Sequence, residues 1–152
     1  MHFYNLIKGL SVSNNIKLFI DMDGVIVNYD LGRPFDFINK RPLKTNINVL
    51  KKVAEIKNVD LCILSICKKN NQIDEKNTWL DRYAPFFKKE NRYILSKEEI
   101  KGMSSSDLKL NFLKNYKTDY KKVLVDDDNK ILKRISNNSN DIILYQDSEL
   151  ID

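Results

Sequence analysis

The sequence predicts an α/β sandwich of three layers with a central parallel sheet of five strands. Three observations carry this. Apolar runs of strand length recur along the chain, near residues 17–22, 59–66, 93–95, 122–125 and 142–145. Between them lie segments whose apolar residues recur at helical spacing. The resulting order alternates strand and helix from one end to the other. Right-handed crossovers between such strands give a parallel sheet with helices on both faces. A chain of 152 residues suits one domain with a real core.

Residues 1–16 read as an N-terminal extension ahead of a core domain over 17–152. In the extension, Phe3, Tyr4, Leu6, Ile7 and Leu10 can form a short amphipathic helix, weakened by Gly9 and Ser11. Residues 17–22 are the first strand. Its Leu18-Phe19-Ile20 run is continuous, as in strands buried on both faces. Gly32, Pro34 and Pro42 rule out a long helix over 28–45. Thr45 is the expected cap of a helix from Asn46, with Ile47, Leu50, Val53 and Ala54 on one face.

Residues 59–66 form the second strand. A helix over 74–83 follows, and Pro85 ends it because the residue before a proline resists helical geometry. Trp79, the single tryptophan, is assigned to the core. Residues 93–95 are a short third strand. Residues 97–102 read as a helical turn ended by Gly102. One of Ser104, Ser105 and Ser106 caps a helix carrying Leu108, Phe112, Leu113 and Tyr116. Residues 122–125 are the fourth strand, 129–135 a short helix with Asp128 as its cap, 137–140 a turn, and 142–145 the fifth strand. The whole pattern is Rossmann-like.

The net charge is +5. Lysines fall on nearly every segment, which marks solvated faces and does not favour a dedicated nucleic-acid surface. A positive field does attract an anionic substrate. Cys62 and Cys67 do not form a Cys-x-x-Cys pair, so free thiols and a reducing cytoplasm are expected. The N-terminus does not read as a secretory signal, and no apolar run reaches the length of a membrane span, so a membrane is not an expected partner.

In a parallel sheet, ligands bind beyond the carboxyl ends of the strands, where strand order reverses. Asp21 and Asp23, followed by Gly24, end the first strand, and Ser65 ends the second. Asp126, Asp127 and Asp128 end the fourth. Lys109 reaches the same edge because its helix runs antiparallel to the strands and it sits in the opening turns. Each residue has a plain structural role when taken alone. Asp-x-Asp-Gly is turn chemistry, Ser65 a buried hydroxyl, Lys109 one lysine among many, and Asp128 a helix cap. Together they bring carboxylates close enough to repel unless a cation joins them. Oxygen donors with waters suit Mg²⁺, which takes one or two carboxylates plus substrate phosphate oxygens.

This order of motifs resembles the haloacid dehalogenase-like (HAD) superfamily of aspartate-nucleophile phosphatases. The matching stretches are Asp21-Met-Asp23-Gly-Val, the strand ending in Ser65, the helix lysine Lys109, and Val123-Leu-Val-Asp126-Asp127. The resemblance implies that Asp21 attacks phosphorus to form an aspartyl-phosphate. It implies that Asp23 protonates the leaving oxygen and then activates water. Ser65 and Lys109 would hold phosphoryl oxygens. Mg²⁺ would sit on Asp21, Asp127 and the backbone carbonyl of Asp23, with Asp126 acting through water.

Together with Lys76-Asn-Thr-Trp79-Leu and Val-Asp-Asp-Asp-Asn, the first motif is similar to that of the 5′(3′)-deoxyribonucleotidase group. Those enzymes usually carry a helical cap between the first two motifs. Here 41 residues separate Asp23 from Ser65, and the segment 28–44 can make only a short flap. A capless or minimally capped HAD-like fold is therefore expected. In the flap, Arg33 is a candidate substrate contact, and Phe35 and Phe37 read as anchors to the core. The expected function is a Mg²⁺-dependent phosphomonoesterase acting on a small phosphorylated substrate, with nucleotides among the candidates. Its alternatives are a phosphatase acting on a nucleic-acid end or another bulky phosphoester, then a phosphotransferase or mutase or a non-catalytic phosphate-binding module. Monomer and homodimer both stay open.

Overall fold

The computed structural model describes residues 2–30 and 36–151. Five parallel strands, β1 (Ile16–Ile20), β2 (Val59–Cys67), β3 (Arg92–Ser96), β4 (Lys121–Asp126) and β5 (Ile142–Gln146), form one sheet in the order β3-β2-β1-β4-β5. The chain builds outward from β1 to β3, then crosses back to β4 on the other side. Strand order therefore reverses between β1 and β4, which sit side by side at the centre. Their register pairs Ile20 with Val125, and Ile20 also pairs with Ile63 of β2.

Alternation of side chains splits the core into two layers. Leu18, Ile20, Leu61, Ile63, Val123 and Val125 face one side. There they meet α1 (His2–Ser11), α2 (Lys44–Val53) and α3 (Asn71–Tyr83) through Phe3, Ile7, Leu50, Trp79 and Leu80. Phe19, Cys62, Leu64 and Leu124 face the other side and pack on α4 (Ser105–Asn115) and α5 (Asn129–Asn138) through Leu110, Leu113, Ile131 and Ile135. Each such side chain, once buried, contributes about 1.5–3 kcal/mol. The apolar stripe of the N-terminal segment does form a helix. Phe3 and Ile7 are fully buried in the same cluster as the β1 residues.

Several boundaries differ from the sequence reading. Thr45 does not cap α2. The helix starts at Lys44 with Leu43 at its N-cap, whose side chain has no acceptor to offer, and the Leu43 N–H donates to the Ile26 carbonyl at 2.8 Å. α3 begins at Asn71, a turn earlier than the apolar pattern suggested. Residues 97–102 are turns and not helix, closing on Gly102 at φ +84°. Asn137 and Asn138 extend α5 and do not open a turn. The caps of α4 and α5 are Ser104, which accepts from the Asp107 N–H at 3.1 Å, and Asp128, which accepts from the Lys130 N–H at 2.9 Å. Both cysteines are free and buried. Among the described residues no helix is long and apolar enough to cross a membrane.

Candidate active site

After β1 the chain makes a tight turn. The Met22 carbonyl accepts from the N–H groups of Val25, Ile26 and Val27 at 3.1, 3.0 and 3.0 Å, and the Gly24 N–H donates to the Val27 carbonyl at 2.8 Å. Met22, Val25, Ile26 and Val27 are fully buried and anchor it. Gly24 takes φ +81°, and a Cβ there would collide with the Asp127 carboxyl and the Tyr29 ring. Only glycine combines that conformation with that approach. The segment that follows is closed at its base, where the Asn28 N–H donates to the Arg41 carbonyl at 2.8 Å and Val27 bridges Pro42. Arg33 and Phe35 lie outside the described residues. Phe37 is buried against Trp79, as expected of an anchor.

Beyond the switch point lies the first of two charged clusters. The Lys109 ammonium, 2% exposed, donates to Asp21 Oδ1 at 2.8 Å and to Asp126 Oδ2 at 2.6 Å. The other Asp126 oxygen accepts from the Asp128 N–H at 2.9 Å. The Tyr29 hydroxyl donates to Asp127 Oδ2. One carboxylate oxygen from each of Asp21, Asp126 and Asp127 lies within 4.8 Å of the others. Three carboxylates thus face one ammonium.

Burial raises the Asp21 carboxyl above the usual range, against the pull of Lys109, and Asp126 adds to the rise. Asp126 is raised in the same way. Burial opposes the charge on Lys109, but Asp21 and Asp126 outweigh it and hold the ammonium above its ordinary range. Asp127 is pushed up to about 6, first by burial and then by the Asp21 charge, while the Tyr29 hydrogen bond works the other way. The donor set is all oxygen, with more carboxylates than ammonium groups in direct contact. That is the chemistry a small divalent cation fits. Asp126, with both oxygens engaged, is the member least free to ligate directly.

The second cluster was not assembled from the sequence. Lys76 projects from α3, 2% exposed, and donates to Ser65 Oγ at 2.6 Å, to the Ile66 carbonyl at 3.1 Å and to Asp23 Oδ2 at 3.2 Å. Lys40 reaches Asp23 Oδ1 at 3.3 Å. Ser65 thus lies on the sheet face of Trp79, covered by Lys76. The signal for Lys76 was legible. It stands three residues after Ile73, three before Trp79 and four before Leu80, a charge on an apolar helical face. No comparable pattern marked Lys40 or Tyr29, whose contacts depend on the path of the loop.

Asp21, Asp23, Tyr29, Ser105, Lys109 and Asp127 are among the residues lining a cleft of about 150 Å³ at this edge. A larger apolar hollow of about 350 Å³ lies elsewhere, between β3 and α4, with no charged side chain in its lining.

No family model matches the sequence, and no curated protein matches it. Among solved structures, a chain of the Pnkp1/Rnl/Hen1 complex has a similar fold, with a TM-score of 0.68 and 17% identity. The match covers 88% of this chain and 46% of that chain, so this chain spans less than half of its neighbour. At that identity the likeness is one of fold, a Rossmann-like α/β sandwich around a five-stranded parallel sheet.

Proposed function

We propose that the protein is a Mg²⁺-dependent phosphomonoesterase of the HAD type with Asp21 as its nucleophile. The observation that carries this is the buried Lys109 bridge between Asp21 and Asp126, with an Asp127 oxygen within 4.8 Å of an oxygen of each. A helix lysine joining the end of one central strand to the end of the next has little use in a simple turn. It is useful where a carboxylate must approach an anionic phosphoryl group, because the ammonium offsets their repulsion.

In this reading an Asp21 oxygen attacks phosphorus and the bond to the leaving oxygen breaks. Asp23, entering this step protonated, gives that oxygen its proton. Asp23 then takes a proton from water as the water oxygen attacks phosphorus, the Asp21–phosphorus bond breaks, and inorganic phosphate leaves. Lys109 stays charged throughout and keeps Asp21 aimed. Asp21, Asp127 and the Asp23 backbone carbonyl would hold Mg²⁺, with Asp126 acting through water, and the ion supplies neutralisation of charge on the phosphoryl oxygens.

The test is phosphate release from a panel of monoesters with and without Mg²⁺. Asp21→Asn is expected to abolish release while keeping the fold by circular dichroism, and chelation is expected to stop the wild type. Turnover that survives either treatment refutes the assignment. Within this function, a bulky phosphoester such as a nucleic-acid end is favoured by one feature. The cleft is small enough to enclose little beyond the phosphoryl group, which leaves the remainder of a substrate outside. A nucleic-acid end predicts steep salt dependence for an oligonucleotide substrate and a shallow one for a mononucleotide.

A further inference from the structure

Asp23 is held by two lysines from different parts of the chain, one to each carboxylate oxygen. Lys76 comes from α3, inside the core layer. Lys40 comes from the segment between β1 and α2, just past the 3-10 turn Phe37–Asn39. Its backbone is fixed at two points. The Trp79 indole N–H donates to the Lys40 carbonyl at 2.9 Å, and the Lys40 N–H donates to the Phe37 carbonyl at 3.1 Å. Its side chain, 9% exposed, runs across the Phe37 ring with the ammonium 5.0 Å from the centroid. The Lys76 ammonium lies at the same distance from that ring. Phe37 thus lies against both cations, and the Asp23 carboxylate bridges them. A lone exposed pair would swing freely. Here the carboxylate plane is set by two buried cations whose own positions are set by an aromatic ring and an indole.

We propose that Lys40 is a positioning residue for Asp23, so that Phe37 and Lys40 must be seated on Trp79 for the acid to be aimed at the leaving oxygen. This rests on the reading of Asp23 as general acid given above. Lys40 need not touch substrate. Its pairing with Asp23 is partly solvated, the Asp23 side chain being 29% exposed, so its worth lies in orientation and little in stability. Lys76 is less suited to the test, because it also holds Ser65 and the Ile66 carbonyl and its loss disturbs more than Asp23.

The discriminating measurement uses leaving groups. Departure of an alkoxide needs a proton from Asp23, whereas 4-nitrophenolate leaves without one. The quantity to read is kcat/KM, which stops at leaving-group departure and is blind to later hydrolysis of the aspartyl-phosphate. Lys40→Met is expected to lower kcat/KM for an alkyl phosphate about tenfold more than for 4-nitrophenyl phosphate, a part of the whole general-acid contribution. The ratio of the two is unaffected by any fraction of the variant that fails to fold. Lys40→Ala is expected to change the ratio in the same direction. Equal losses on both substrates, with an active wild type, overturn the role of Lys40 and leave the phosphatase reading standing. A wild type that releases phosphate from neither substrate overturns both.

Discussion

Lys109 is the ammonium that joins the two central strand ends. It is an ammonium removed from water, and two buried carboxylates hold it there. Replacing it by methionine removes one charge and strands two. Lys109→Met is expected to cost about 3–5 kcal/mol of stability at neutral pH, the usual penalty for breaking a buried ion pair from one side. Urea denaturation reads this, and the loss should shrink in acid, where Asp21 and Asp126 can take up protons. Asp127 gives a second prediction at this scale. Its carboxyl, pushed up to about 6 in the folded protein, titrates near 3.9 when unfolded. The folded state therefore binds the extra proton between those values. Without a cation, stability falls as pH rises from 4 through 6 and levels off above. A divalent cation needs the ionised carboxylate, so its affinity should drop about tenfold for each pH unit below that point. Thermal melts with and without Mg²⁺ at pH 5 and pH 7.5 check this, with the larger upward shift expected at pH 7.5.

At the scale of the element, the turn after β1 does more than reverse the chain. It buries four apolar residues, Met22 before Asp23 and Gly24 and Val25, Ile26 and Val27 after them, so its conformation is fixed by packing and its polar residues are fixed with it. Gly24→Ala puts a methyl group into the Asp127 carboxyl at a backbone angle that disfavours any side chain. It is expected to cost about 1–3 kcal/mol and to displace Asp127. A matching loss of Mg²⁺ affinity by calorimetry would accompany the loss of stability. Unchanged metal binding would show that the turn and Asp127 are independent. The cap of α4 works in the same spirit. Ser104 starts the helix one turn before Lys109 and so sets how deeply that lysine enters.

For the whole molecule, strand order is what makes the site. With β1 and β4 adjacent, Asp21 and Asp126 leave the sheet at the same level, and the Asp21 N–H still donates to the Val125 carbonyl at 3.0 Å. The N-terminal helix belongs to the same structure. Phe3 is fully buried and meets the Tyr145 ring edge-on at 5.6 Å, which ties α1 to the edge strand β5. Phe3→Ala is expected to lower stability by about 3–5 kcal/mol. A chemical melt of that variant indistinguishable from wild type would mean that α1 is a dispensable addition.

Each of the five strands lies where its apolar run stands, because a buried strand needs a continuous apolar stretch and the pattern is local. Asp21, Asp126 and Asp127 were legible as strand ends for the same reason. The lysines were harder. Lys109 and Lys114 look alike in sequence, and helix direction alone separated them; Lys114 is exposed. Lys76 was visible as a charge on an apolar face, but its partners were not. Ser65 sits at a strand end as read, and the parity of the strand turns its hydroxyl toward α3 and Lys76, a one-residue matter that an apolar run on both faces does not reveal.

What the sequence by itself determined is the set of elements and the edge on which the acidic residues gather, since both follow from short-range periodicity and from the sense of a parallel sheet. Only the tertiary structure decided which ammonium meets which carboxylate. Those pairings span up to 88 residues. They depend on strand order, strand parity and the packing of Phe37 and Trp79, and none of these is written in any one stretch of the chain.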